Sequence, residues 1–223
     1  MSLEDFSRSL GYVFRDRDLL IRALTHRSHG AAHNERLEFL GDSVVNCAVA
    51  LELYCKFPDL TEGELSRLRA SLVSQPTLAA IAKAYRIGEN LKLGEGELKS
   101  GGPQRPSILA DALEAVMGAV FIDGGFDAAA SVAHTLFSSA LADIDPATTG
   151  KDAKTLLQEY LQSRKLPLPR YSVLTVSGEA HEQLFHVECE IAQLNIRSQG
   201  EGTSRRSAEQ LAARAAYECV LRT

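Results

Sequence analysis

The sequence predicts two structural classes in one chain. An all-α domain is expected over residues 1–145, and a small α+β domain, ordered α-β-β-β-α, over residues 152–223, with a linker at 146–151. Three observations carry this. Apolar residues recur at helical spacing throughout the front part, where no strand-like alternation of any length interrupts them. Asp145-Pro146-Ala147-Thr148-Thr149-Gly150 is a short polar stretch holding both Pro and Gly, as a linker should. After it, three short β-rich runs lie between two helical patterns.

The front helices follow from their periodicity. From Asp16 to His26 the apolar positions are Leu19, Leu20, Ala23 and Leu24, and a longer pattern runs from Asn34 to about Cys55 before Pro58 breaks it. Further helices are expected at about 62–73, 76–85, 108–122 and 126–142. Lys99-Ser100-Gly101-Gly102-Pro103 reads as a loop, with Ser107 placed to cap the helix that starts at Ile108. In the rear part a helix over about 152–164 ends before Pro167 and Pro169. Strands follow over Tyr171 to Val176, over the alternating Phe185, Val187, Cys189 and Ile191, and over Leu194 to Arg197. The last helix, Ser204 to Leu221, gathers Ala208, Leu211, Ala212, Ala215, Cys219 and Val220 on one face.

Composition narrows the function classes. No run of about 18 apolar residues exists to span a bilayer, and the acidic start Met1-Ser2-Leu3-Glu4-Asp5-Phe6 lacks the basic and apolar regions of a signal peptide. Cys47, Cys55, Cys189 and Cys219 form no CxxC pair and are expected to be buried free thiols of a cytoplasmic protein. The net charge of −5 argues against a nucleic-acid partner until the chain is divided. Residues 1–150 carry 14 Lys/Arg against 20 Asp/Glu, whereas residues 151–223 carry 10 against 9. An acidic front suits bound cations, and a near-neutral rear can still present a local basic face.

Two groups of acids stand out. On the helix through Asn34, Glu35, Glu38 and Asp42 fall within an arc of roughly 60°, with Leu37, Leu40, Val44 and Cys47 expected opposite. Three acids on a polar helix face are ordinarily just solvated. Asp111 and Glu114 are different, because they share a face of a helix that is otherwise apolar, completed by the small residues Ala115 and Gly118. Acids there are costly unless solvated, paired or metal-bound. If the two helices pack together, Glu38, Asp42, Asp111 and Glu114 make one cluster that needs a cation, and an oxygen-only set suits Mg²⁺. Mg²⁺ among carboxylates has the form of a phosphodiester-hydrolysing site. The histidines around Thr25-His26-Arg27-Ser28-His29 and His33 show neither an HExxH pattern nor a His-Asp pair, so a histidine metal site is not expected.

The rear part carries residues suited to nucleic acid. Thr155, Gln158 and Gln162 share one helix face, while Leu157, Tyr160 and Leu161 point elsewhere, toward the sheet. Arg205 and Arg206 occupy the first turn of the last helix, after the expected cap Ser204, where cations oppose the helix dipole. A chain optimised for stability alone would favour acids at this spot. Two guanidiniums at a helix N-terminus do, however, suit a phosphate.

The stretch Asn34 to Ser43, NERLEFLGDS, resembles the signature motif of the ribonuclease III family. Ala23-Leu24-Thr25-His26-Arg27-Ser28 and Leu109-Ala110-Asp111-Ala112-Leu113-Glu114-Ala115 resemble two further blocks of that family, and the rear part resembles its double-stranded RNA-binding domain. The resemblance implies a dimeric endonuclease that cuts double-stranded RNA to 5′-phosphate and 3′-hydroxyl ends, with ribosomal-RNA precursors and some mRNAs and tRNAs as substrates. It implies Mg²⁺, replaceable by Mn²⁺, on Glu38, Asp42, Asp111 and Glu114, with Asp42 and Glu114 the most critical for chemistry and Glu35 in support. It also implies minor-groove contacts by Thr155, Gln158 and Gln162, with a second by His181 in the loop Ser177 to Gln183, and phosphate contacts by Ser204, Arg205 and Arg206. Many relatives have Pro where this loop has Glu179, which leaves its stiffness open. Phe39 stands between core packing and the resemblance's alternative, a plug into the partner subunit. No organic cofactor and no membrane are implied. A non-cleaving RNA-binding dimer would be expected to have lost one of the four acids, and a nucleotide phosphohydrolase would leave the rear part without a use.

Overall fold

The structure is a computed structural model that describes residues 2–179 and 182–222. The chain forms two compact units, Met1–Thr149 and Gly150–Thr223. No helix among the described residues is long and apolar enough to cross a membrane.

The front unit is helical, as its periodicity predicts. Its helices are α1 (Leu3–Ser9), α2 (Arg17–Ala23), α3 (Glu35–Lys56), α4 (Glu62–Leu72), α5 (Gln75–Ala84), α6 (Glu95–Lys99) and α7 (Pro106–Ala142). α7 joins the two helices expected at 108–122 and 126–142, which meet at a kink where Gly125 has φ 79° and ψ −175°. The Asp123 carboxylate beside this kink accepts from the Tyr12 hydroxyl (2.7 Å) and from the backbone N–H groups of Arg15 and Asp16 (2.8 and 2.9 Å). The first half of α7 is buried on nearly every side, through Leu109, Ala112, Leu113, Val116, Met117 and Val120. It is the axis around which the other helices pack.

The cap expected at Ser107 is not formed. Pro106 takes the first helical position, where its missing N–H costs nothing, and Arg105 precedes it in extended conformation. On α3 Leu37 and Val44 are buried as expected, together with Gly41, Val45, Ala48, Val49 and Leu53, whereas Cys47 is exposed. Glu38 is half-buried and Asp42 exposed, and both lie in line with Val45, Val49 and Leu53 at spacings of three and four. Cys55 and Cys219 are exposed as well, so only Cys189 fits the expected buried thiol. The chain between α2 and α3 is held by one parallel bridge, Thr25 with Lys92, and by the Gly94 N–H donating to Ser28 Oγ (2.9 Å). Residues Pro146 and Thr149 accept from the Arg67 guanidinium (2.9 and 3.1 Å), which fastens that stretch to α4.

The rear unit runs α8 (Ala153–Ser163), β1 (Arg170–Ser177), β2 (Leu184–Ile191), β3 (Ile196–Gly202) and α9 (Arg205–Leu221). The antiparallel sheet has the order β1-β2-β3. Asp152 caps α8 by accepting from the Thr155 N–H (2.8 Å), and Ser204 caps α9 by accepting from the Ser207 N–H (3.1 Å). Leu157 and Leu161 meet Cys189, Ile191, Ala212, Ala213, Ala216 and Val220 in a separate core. The buried face of α9 is thus Ala208, Ala212, Ala213, Ala216 and Val220; Leu211 and Cys219, expected on it, are exposed. β3 starts later than expected, because Ala192–Leu194 forms a 3-10 turn and Asn195 takes a left-handed φ of 54°. Gly200 lets β3 lie against α9, since a Cβ there would stand 2.3 Å from the Ala208 carbonyl oxygen.

Candidate metal centre and nucleic-acid surface

Two glycines build the front site. A Cβ on Gly41 would lie 1.7 Å from the Glu114 carbonyl oxygen, and one on Gly118 would lie 2.3 Å from that of Leu37. No other residue type permits α3 and α7 to cross so closely. Glu38 and Asp42 flank Gly41, and Asp111 and Glu114 precede Gly118 by two turns and one turn. The backbone contact thereby carries the acids toward one another. Carboxylate oxygens of Glu38, Asp111 and Glu114 all lie within 4.8 Å of each other.

Asp42 stands outside that tight group. Its Oδ1 accepts from Asn46 Nδ2 (3.0 Å) on the same helix, and the residue is exposed. Its charge still reaches Glu114. Burial, followed by the charges of Asp42, Asp111 and Glu38, pushes the Glu114 carboxyl up to about 7. Burial also raises Glu38, helped by Asp111 and Glu35, and it raises Asp111 against the opposing pull of His26 and Arg27. Among the described residues no Lys, Arg or His forms an ion pair with Glu38, Asp111 or Glu114. The cluster thus concentrates oxygens and negative charge in a half-buried place, an arrangement that could hold a cation.

Glu35 is spoken for by Arg27, whose Nη1 donates to Oε1 (3.1 Å), with His33 Nδ1 at 3.7 Å from Oε2. Beside these residues a polar cleft of about 340 Å³ is lined by Arg27, Asn34, Glu35, Glu38, Arg105 and Asp111. The sequence did not single out Asn34 or Arg105, although Asn34 heads the signature stretch. Asn34 is buried at the start of α3 and its side chain makes no capping hydrogen bond. Phe39 is 81% exposed, which removes the core-packing alternative. It borders a cleft whose apolar wall is Leu37, Leu40 and Ile122 and whose edge is charged, through Arg22, Glu35 and Arg36.

In the rear unit Thr155, Gln158 and Gln162 form an exposed polar face of α8, and Leu157 and Leu161 are buried on the other side. At the start of α9, Arg206 is exposed and has no ion pair among the described residues. Arg205 is exposed too, but its Nε donates to Glu209 Oε1 (2.9 Å). Lys154, which the sequence did not single out, donates to the other Glu209 oxygen (2.7 Å). His181 lies outside the described residues.

Comparison with known proteins places both units. Residues 16–141 match the family model described as Ribonuclease-III-like, and residues 153–218 match the Double-stranded RNA binding motif. The chain is 60% identical to Ribonuclease 3 of Ralstonia nicotianae over 98% of its own length and 85% of the relative's. It is 62% identical to Ribonuclease 3 of Thiobacillus denitrificans over 94% and 92%. Among solved structures, the nuclease domain of ribonuclease III from Campylobacter jejuni superposes with a TM-score of 0.61 at 43% identity, covering 65% of this chain and 99% of that one. A second structure of the same domain, with TM-score 0.60 and 43% identity, covers 62% and 97% and shows structural flexibility in a region involved in dimer formation of that protein. With a Ribonuclease-III-like model over its helical unit, a Double-stranded RNA binding motif over its α-β-β-β-α unit, and about 60% identity to two proteins named Ribonuclease 3 over nearly its whole length, the chain belongs to the ribonuclease III family of endoribonucleases.

Proposed function

We propose that this enzyme is a Mg²⁺-dependent endonuclease of double-stranded RNA that works as a homodimer in the cytoplasm and leaves 5′-phosphate and 3′-hydroxyl ends. Mn²⁺ substitutes for Mg²⁺, and the substrates are ribosomal-RNA precursors with some mRNAs and tRNAs. The observation that carries this is the gathering of Glu38, Asp111 and Glu114 oxygens within 4.8 Å, with no ion pair to any of them among the described residues, on a chain that also bears a double-stranded RNA binding motif. The donor set fits a hard divalent ion: it is all oxygen, partly open to solvent, and short of positive charge. Glu38, Asp111 and Glu114 would hold the ion, with Asp42 as the fourth carboxylate. When bound, the ion supplies Lewis acidity and charge neutralisation at the scissile phosphate. Asp42 and Glu114 are the residues most critical for cleavage. Glu35 supports them by holding Arg27 beside the cleft.

The division of labour we propose assigns chemistry to residues 1–145 and RNA binding to residues 152–223, with 146–151 joining them. Thr155, Gln158 and Gln162 meet a minor groove, where neutral hydrogen-bonding groups suit exposed 2′-hydroxyls. Ser204, Arg205 and Arg206 meet phosphates across the intervening groove, and His181 reaches the next minor groove. Phe39 enters the partner subunit, and its exposure beside the apolar wall of that cleft supports that role. A labelled RNA duplex incubated with and without Mg²⁺ tests the proposal. Cutting is expected only with the ion, and the products should carry 5′-phosphates. Binding without cutting would indicate an RNA-binding protein alone, and hydrolysis of free nucleotides in preference to duplex would indicate a phosphohydrolase.

A further inference from the structure

Glu209 is an acid in the second turn of α9, one turn from the arginines assigned above to phosphate contact. By charge alone it should repel RNA. Its surroundings say otherwise. The side chain is only 12% exposed, and its two oxygens accept from Lys154 Nζ on α8 and Arg205 Nε on α9, at 2.7 and 2.9 Å. Lys154 lies 4.4 Å from the centroid of the Tyr171 ring, and its backbone N–H donates to the neighbouring Gln210 Oε1 (3.3 Å). The Lys154 ammonium, and after it the Arg205 guanidinium, holds the Glu209 carboxyl below the usual carboxylate range in spite of burial. Glu209 therefore ties together the first turns of two helices through its two ion pairs.

What these pairs leave free is informative. Arg205 spends only Nε on Glu209, and its side chain remains 65% exposed, so the fork of Nη hydrogens faces solvent. An arginine held by Nε presents that fork in one direction instead of sampling many rotamers. Thr155 directly follows Lys154, and Arg206 directly follows Arg205. Holding Lys154 and Arg205 together therefore fixes the spacing between the polar face of α8 and the cationic start of α9.

We propose that Glu209 is a positioning residue for RNA binding, which aims Arg205 and locks the first turns of α8 and α9 into one recognition surface. The inference rests on the reading of Arg205 as a phosphate contact. Pre-organised contacts bind more tightly because less ordering remains to be done on association. Removing this acid should therefore weaken RNA binding, although it makes the surface more positive.

The test uses the full chain and a short RNA duplex in Ca²⁺, with affinity read by fluorescence anisotropy. Glu209→Gln is expected to weaken binding about three- to tenfold, as coupled neighbours do. Glu209→Asp keeps the charge but shortens the reach, and it is expected to lose a comparable amount; wild-type affinity in Glu209→Asp would contradict aiming by direct contact and overturn the inference. In a background of Arg205→Ala with Lys154→Met, where the thioether keeps the stem over Tyr171, Glu209→Gln should cause no further loss. A loss of the same size in that background would make Glu209 structural and overturn the inference. So would an affinity at or above wild type in the single variant. The underlying reading is tested apart from this: if Arg205→Ala alone leaves affinity unchanged, Arg205 is not a phosphate contact, and the role of Glu209 in aiming it falls as well.

Discussion

The α3/α7 crossing and the α8/α9 surface solve opposite problems. At the crossing, like charges are forced together in a half-buried site, and the backbone does the forcing: Gly41 and Gly118 remove the side chains that would hold the helices apart. At the surface, charges of both signs stand near solvent, and side chains arrange one another through ion pairs such as Lys154–Glu209–Arg205. The first arrangement is set by the fold and stores unfavourable charge for an incoming cation. The second is assembled from separate residues whose contributions are graded. A change at the crossing should therefore be nearly all-or-none, whereas a change at the surface should shift affinity by measured steps.

The largest expected effect lies at the crossing. Glu114→Gln should lower the cleavage rate roughly a hundredfold or more, as expected when several kcal/mol of transition-state stabilisation are lost. Its affinity for a duplex in Ca²⁺ should stay near wild type. Comparable losses in rate and affinity would break the separation of the two regions. Gly41→Ala should destabilise the front unit by about 3 kcal/mol, seen as a lowered Tm, since overpacking against backbone leaves little room for adjustment. An unchanged Tm would show that α3 and α7 can separate at little cost.

A third expectation concerns pH. The Glu114 carboxyl is raised from an ordinary value of 4.5 to about 7. Its contribution to stability in the absence of metal is thus fully present below about pH 4.5 and is lost as pH rises through 7. Protons compete with the cation over the same window, so Mg²⁺ affinity should climb between pH 5.5 and 8 and then level off. Calorimetric titration across that range checks this; a flat affinity would show that Glu114 is not a ligand. The smallest effect belongs to the surface. Arg206→Ala, an exposed residue, should lower the slope of log affinity against log salt by about one unit, with Tm unchanged. An unaltered slope would remove Arg206 from the phosphate contacts.

Much of this was legible in the sequence, and the omissions have physical causes. Helical spacing and the Pro/Gly-containing polar stretch marked the two classes of structure, and the acids of the apolar helix flagged the centre. Gly118 was noticed as small, but Gly41 gave no signal of its own, because a close helix crossing is visible only when both partners are known. For the same reason Gly41 and Val45, beside the acids, were not seen to belong to the packed face of α3. β3 was cut short because Gly200 and Gly202, needed for contact with α9, carry no β pattern. The isolated bridge at Thr25 and the short helices α1 and α6 offer too few residues for periodicity to register. The Glu209 ion pairs were not legible, since Lys154 comes from 55 residues away.

The central claim is that the crossing accumulates charge for a metal. Thermal unfolding of the full chain at pH 7.5, with and without Mg²⁺, measures this without RNA or activity. Wild type should unfold at a higher temperature when Mg²⁺ is added, because a ligand that binds only the native state stabilises it. The variant Glu38→Gln with Asp111→Asn should unfold above metal-free wild type, since its buried repulsion is gone, and Mg²⁺ should then raise it no further. An equal Mg²⁺-dependent rise in both proteins would contradict the account.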